Sequence, residues 1–374
     1  MYRIISLFLV VQFILLPMVP FVSISTQVVA ADQMPSFDGQ KAYASIQVQM
    51  SYGTRIPESQ GHANCINYLV TTLEGYGLQV VQQKFTGESG EGEGVHFTNV
   101  IGTLEANETT DRTVFVGAHF DTRPFTDRDI TKGPVEPDYD NPIPGANDGA
   151  SGVAVLVELA RVMGQYNRTK NIKFFFFDGE DFGTNRQSML YGSDHYASKM
   201  TAAELANTDY LILVDMIGDK ELTVYREKNS DATLMDKLFT KAASLGNDQF
   251  INATKYAIID DHIPFKDRGM KVVDLIDFDY PNMSLNYWHT TEDTIDKVSS
   301  VSLEAIGTTI EGFLVDDMVD RPANGGNGNN TTNGTDPPKP PPKPRKGFIP
   351  LVNGPLLIAV VAISIGFARY LRRH

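Results

Sequence analysis

Apolar residues along this chain gather into short unbroken runs, set between longer stretches with helical spacing. The runs TVFVGAHF (113–120), NIKFFFFDG (171–179), DYLILVDMIG (209–218) and KVVDLIDF (271–278) show little polar alternation, as expected of strands covered on both faces. Between them lie helical patterns. GASGVAVLVELARVMGQY (149–166) is apolar nearly all round and so sandwiched; LYGSDHYASKM (190–200), ATLMDKLFTKAASLG (232–246) and the closing SVSLEAIGTTIEGFLVDDMV (300–319) follow. Upstream, residues 36–76 read as two helical pieces around the turn SYGTRIPES. LQVVQQKF (78–85) and HFTNVIGTL (96–104) then read as paired strands around a Gly/Glu-rich hairpin. Strands alternating with helices predict an α/β fold, a mostly parallel twisted mixed sheet with helices on both faces, in one domain. Roughly eight strands are expected.

The ends have a different character. Residues 1–30 carry Arg3, an apolar core and small residues at VVAAD, the pattern of a secretory signal. Residues 321–347 are Gly/Asn/Thr-rich and then Pro-rich, a stalk. Residues 348–368 carry no charge and are long enough to cross a bilayer, and Arg369, Arg372 and Arg373 follow in the tail 369–374. These segments predict an exported, cell-surface protein, anchored in the membrane by a single C-terminal helix with its body outside. The body, 31–320, leaves about 285 residues for one large core. A net charge of −14 argues against a nucleic-acid partner, and the single cysteine, Cys65, excludes an internal disulfide.

Chemistry concentrates at the downstream ends of the apolar runs. His119 and Asp121 end the first, Glu180 and Asp181 the second, and Asp215 the third. Asp148 opens a helix in GANDGASG; Asp260, Asp261 and His262 stand in IIDDHIPF, and Trp288 and His289 in NYWHTTED. In an open α/β sheet the carboxyl ends of the strands form the usual ligand crevice. Carboxylates and imidazoles gathered there suit zinc, which needs about three protein ligands and an open position. Taken alone, a lone histidine is more often structural, and an Asn-Asp-Gly turn is more often a helix cap. The adjacent pair Glu180–Asp181, after four phenylalanines, is harder to explain as structure. On an extended segment its members point apart, so that one can bind metal while the other carries protons. In the long loop 123–144, Asp127, Asp129, Asp138 and Asp140 lack calcium-loop spacing and read as solvated.

Together HFD, GANDGASG, DGED, LVDMIGD and WHT resemble the zinc aminopeptidase family that includes the glutaminyl-peptide cyclotransferases. SMLYGSDHYASKM, DDHIPFKDRG and YWHTTEDT look closest to the glutaminyl cyclase branch. The resemblance covers about residues 36–319 and implies a zinc-dependent enzyme acting on peptide or protein N-termini. It implies that Asp148, Asp181 and His289 bind zinc and that Glu180 is the general acid/base. In aminopeptidases a second metal would use His119 and Asp215, with Asp148 bridging. In cyclotransferases, mostly with one zinc, Glu180, Asp215 and Asp260 form an acidic network. Trp288 matches a substrate-pocket aromatic, and His262 is assigned to substrate binding. The DDH triplet favours a glutaminyl-peptide cyclotransferase over an aminopeptidase. A catalytically silent surface receptor would have lost ligands, whereas this chain keeps them all. Three features depart from the animal cyclotransferases: Asp181 replaces a glutamate, no disulfide can form, and residues 182–187 lack their tryptophan.

Overall fold

The computed structural model describes residues 36–282 and 284–319. Six strands form the central sheet: β1 (Gln79–Thr86), β2 (His96–Leu104), β3 (Thr113–His119), β4 (Asn171–Phe177), β5 (Thr208–Asp215) and β6 (Val272–Ile276). Their spatial order is β1-β2-β4-β3-β5-β6. The four strands β4, β3, β5 and β6 run parallel, and β2 pairs antiparallel with both β4 and β1. The mixed, mostly parallel α/β sheet expected from the periodicity is what the chain forms. It has fewer strands in its main sheet than the rough eight expected, because several short extended segments pair off on their own as two-stranded ribbons.

The helices are α1 (Gly39–Ser51), α2 (Gln60–Gly75), α3 (Ala150–Met163), α4 (Tyr191–Lys199), α5 (Ala202–Asn207), α6 (Ala232–Leu245), α7 (Ile263–Asp267) and α8 (Ser300–Met318). Strand pleating assigns alternate residues to opposite layers, and the phenylalanine run of β4 shows the result. Phe174 and Phe176 join the larger core with Leu69, Val153, Leu238 and Ile306, drawn from α2, α3, α6 and α8. Phe175 and Phe177 face the other way and pack with Tyr196 of α4 and Phe265 of α7. All four rings are fully buried, each contributing about 1.5–3 kcal/mol relative to exposure. Helix α3 lies close against the sheet: a Cβ on Gly152 would come within 2.5 Å of the Val214 carbonyl oxygen. The lone thiol, Cys65, is buried and unpaired.

Two expectations are corrected here. The loop after β3 is not simply solvated. Thr126–Asp129 and Gly133–Asp138 pair antiparallel within it, and the hairpin is tied to residues 286–289 by the Asp127 amide to the His289 carbonyl and the Asn286 amide to the Ile130 carbonyl. The cell-surface placement with a C-terminal membrane anchor does not stand either. Among the described residues no helix is long and apolar enough to cross a membrane. The segments read as signal, stalk, membrane helix and tail lie outside the described residues.

Candidate active site

The parallel strands deliver their last residues to one edge. His119 closes β3, Asp215 closes β5, and Glu180 and Asp181 follow β4 by a turn through Gly179 at φ +72°. Asp148 stands just before α3, and Asp260 just before α7. Asp148 does not cap its helix: the N-cap is Gly149, at φ +90°, with no side-chain bond. That conformation suits glycine and leaves the Asp148 carboxylate free to face the cleft. His289 itself adopts φ +61°, which costs a non-glycine residue on the order of 1–2 kcal/mol. Strain of this kind is typical of functional sites held by their surroundings.

Asp148 divides its two oxygens. Oδ1 lies 3.2 Å from His119 Nε2, which is 3.1 Å from Asp215 Oδ1. Oδ2 lies 3.8 Å from His289 Nε2, which is 3.3 Å from Asp181 Oδ1. His119, Asp148 and Asp215 thus make one triplet and Asp148, Asp181 and His289 another, each with donor atoms within 4.8 Å of one another. Asp148 Oδ2 and Asp181 Oδ2 are buried without a hydrogen bond. Mixed carboxylate and imidazole donors with unsatisfied buried oxygens fit zinc. The surrounding field fits a cation too. Burial alone would lower the His119 imidazole, yet Asp215, Asp121 and Asp148 raise it well above its ordinary value. His289 is raised likewise, against burial, by Asp181 and Asp127.

Further residues fix these donor side chains in place. The Asp121 carboxylate accepts the amides of Glu180 (3.1 Å) and Asp181 (3.2 Å), fastening the turn after β4 to the lip of β3. Asp293 accepts the amides of Asn147 (2.8 Å) and Asp148 (3.1 Å) and the Tyr280 hydroxyl (2.8 Å). Fully buried Arg55 donates to the carbonyls of Phe120 (2.8 Å) and Gly145 (2.7 Å), joining the two segments that carry His119 and Asp148. Asp127 Oδ1 lies 2.9 Å from His289 Nδ1, leaving Nε2 for the cleft. A carboxylate behind a metal-ligating histidine sets its tautomer and basicity. Arg123 bonds Asp127 Oδ2 (2.8 Å) and also pairs with Asp181. Against the effect of burial, Arg123 and His289 hold the Asp181 carboxyl well below the usual range.

A cleft of about 240 Å³ opens onto this cluster, lined among others by Glu180, Asp215, Asp260, Phe278 and Trp288. Glu180 and Asp181 lie on a bend, not on the extended segment expected, so both face the cleft with different neighbours. Burial first, then the Asp181, Asp260 and Asp261 carboxylates, push Glu180 well above its ordinary value, opposed by His119. Burial, then Asp215 and Asp261, raise Asp260 similarly. Trp288 packs on Phe278 at 4.8 Å and on the His289 ring at 3.8 Å.

The fold therefore gathers Asp148, Asp181, His289, Glu180, Asp215, Asp260 and Trp288 around one cleft, with His119 immediately behind. His262, expected beside substrate, is placed elsewhere. It is fully buried behind Asp260, grouped with Asp260 and Asp274, and does not line the cleft. Burial pushes its imidazole down to about 3, and Lys266 adds to this. Sequence reasoning missed Asp127, Asp293, Arg55 and the two cleft arginines, Arg123 and Arg128. For Asp127 the only signal was its place in an unusually long loop, and Asp293 lies inside the motif YWHTTEDT, which was read for Trp288 and His289 alone.

Comparison with known proteins matches residues 99–314 to the family described as Peptidase family M28. An aminopeptidase of Bacillus subtilis (strain 168) is 29% identical over 203 residues, 53% of this chain and 39% of that protein. The glutaminyl-peptide cyclotransferase of Bos taurus is 29% identical over 254 residues, 59% of this chain and 66% of that protein. The chain thus spans less than two-thirds of the length of these curated relatives. The crystal structure of Tannerella forsythia glutaminyl cyclase superposes with a TM-score of 0.67 at 31% identity, over 75% of this chain and 99% of that one.

Proposed function

Since this chain belongs to peptidase family M28, we propose that it is a zinc-dependent glutaminyl-peptide cyclotransferase, closing an N-terminal glutamine to pyroglutamate with release of ammonia. The observation that supports this reading is the burial of Glu180, Asp215 and Asp260 in one small cleft beside the donor cluster. Asp148, Asp181 and His289 would hold the zinc, which when bound polarises the side-chain amide carbonyl of the substrate.

The remaining steps belong to the protein's own side chains. Trp288 and Phe278 offer an apolar wall to the glutamine methylenes and keep water from the reacting atoms. The Glu180 carboxylate takes a proton from the substrate α-amine as its nitrogen forms a bond to the side-chain amide carbon. The same carboxyl returns the proton to the departing amide nitrogen as the carbon–nitrogen bond breaks, so ammonia leaves and no net proton is consumed. A raised proton affinity makes Glu180 a competent base near neutral pH. Asp215 and Asp260, lining the same cleft, keep the shared proton close to Glu180 between the two transfers. Attack within one residue is already close to a favourable geometry, so positioning supplies much of the acceleration.

A second reading, aminopeptidase action, draws on the division of the Asp148 oxygens between two triplets, as a bridging ligand of a metal pair requires. The protein incubated with Gln-peptide and Leu-peptide separates the two. Pyroglutamate with loss of one ammonia is the expected product. Rapid leucine release with no pyroglutamate rejects the cyclotransferase reading, and two tightly held zincs per chain favour the peptidase.

A further inference from the structure

Two arginines line the cleft, and they are differently engaged. Arg123 is committed to Asp127 and Asp181. Arg128 makes no side-chain hydrogen bond or ion pair among the described residues, and its buried Nε has no partner. Its guanidinium lies over the Trp288 ring, 4.5 Å from the centroid. The adjacent carboxylates are occupied elsewhere. Asp127 serves His289 and Arg123. Asp129 accepts from the Thr131 amide (3.0 Å), the Thr131 hydroxyl (2.9 Å) and the Lys132 amide (3.1 Å). The main chain of Arg128 pairs with Pro134 in a hairpin whose Asp127 and Arg128 line the cleft, which fixes where the side chain starts.

This is a planar fork of donors, partly desolvated and stacked on an aromatic ring. Such a fork matches a carboxylate in a bidentate manner, as a lysine cannot. Elsewhere the cleft is lined largely with acids, Asp148, Glu180, Asp181, Asp215 and Asp260, and Arg123 is already paired, which leaves Arg128 as the guanidinium available to an anionic group. Trp288 touches both residues: the Arg128 guanidinium lies 4.5 Å from its ring centroid and the His289 ring 3.8 Å. An extended peptide advances about 3.3–3.6 Å per residue. With the first residue at Glu180 and the metal-binding donors, the next residue falls within the same cleft, whose wall Arg128 forms in part.

We propose that Arg128 forms a carboxylate-binding subsite that takes an acidic group on the second residue of the substrate, either its side chain or, in a dipeptide, its terminal carboxylate. The subsite rests on the reading of the cleft as a peptide N-terminus site, whether the reaction is cyclisation or hydrolysis.

The test compares kcat/KM within matched pairs on the zinc-loaded protein: Gln-Glu-Ala-amide against Gln-Gln-Ala-amide, and Gln-Ala free acid against Gln-Ala amide. The same pairs are run with leucine in first position. The expected result is an acidic preference of about tenfold in at least one pair, the size of a charge-assisted hydrogen bond. The pair that responds identifies the source of the carboxylate. Arg128→Gln should bring the ratio to about one, while Arg128→Lys should retain part of it. A purely structural role for Arg128 would lower both members of a pair equally and leave the ratio at its original value, which overturns the proposal. A ratio near one in the unaltered protein overturns it as well. Turnover with no preference removes the subsite alone. Absence of turnover in both the Gln and Leu series removes the peptide-terminus reading and the subsite with it.

Discussion

Replacing Asp127 with asparagine tests whether the hairpin after β3 supports the proposed metal site. In the structure Asp127 Oδ1 sits 2.9 Å from His289 Nδ1, and Oδ2 sits 2.8 Å from Arg123 Nη2. Asparagine keeps the size and one acceptor but removes the charge that makes the His289 imidazole a better donor. It also leaves Arg123 with Asp181 as its remaining carboxylate, so the guanidinium competes harder with a cation for that ligand. Loss of such a supporting carboxylate weakens metal binding by about 10–100-fold, or about 1.4–2.8 kcal/mol. The Arg123 effect acts in the same direction and places the expectation in the upper half of that range. Zinc affinity measured by competition with a chromophoric chelator, at fixed pH, reads the change directly. An affinity within twofold of the unaltered protein would refute the reasoning, because Asp127 would then be only a hairpin residue.

Three further expectations follow from the same geometry. Glu180→Gln should lower kcat by about 10²–10⁴-fold, the range for a general acid/base, with zinc content unchanged by elemental analysis; retained activity would remove the proton role. Asp293→Ala leaves two amides and the Tyr280 hydroxyl without their acceptor. At about 1–3 kcal/mol per buried unsatisfied group, urea unfolding should show a loss of at least about 3 kcal/mol, and a loss below 1 kcal/mol would contradict the account. Finally, the metal-free protein should lose stability as pH rises. Burial pushes Asp277 up to about 7, and burial together with the Asp148 carboxylate does the same to Asp293. A folded acid raised above its ordinary value near 4 holds its proton more tightly than the unfolded chain. Its stabilisation is complete below about 4 and is lost as pH rises through about 7. Urea midpoints measured at pH 5 and pH 8 should therefore fall with pH; a flat or rising trend would contradict the sign.

Much of the scaffold was legible because it rests on local periodicity. The runs ending in His119, Glu180 and Asp215 alternate with helical patterns, and a parallel sheet follows from that order. The two-and-two division of Phe174 to Phe177 between layers follows from pleating alone. The supporting residues were not legible. Asp127 meets His289 across 162 positions, and Asp293 meets Asn147 across 146. Each looks like an ordinary turn or loop acid in its own segment. The bend at Glu180–Asp181 escaped for a related reason: Asp121 holds it from the segment just after β3.

By itself, then, the order of residues determined which elements form, which faces they bury, and which acids and histidines reach the carboxyl edge of the sheet. Those properties depend on neighbours a few positions away. Only the tertiary structure decided that Asp148 splits its oxygens between two histidines, that His262 lies behind the cleft, and that Arg123 is engaged while Arg128 is not. Each of these depends on which distant side chains meet at a shared charge, and that is settled by how segments far apart in sequence are brought together.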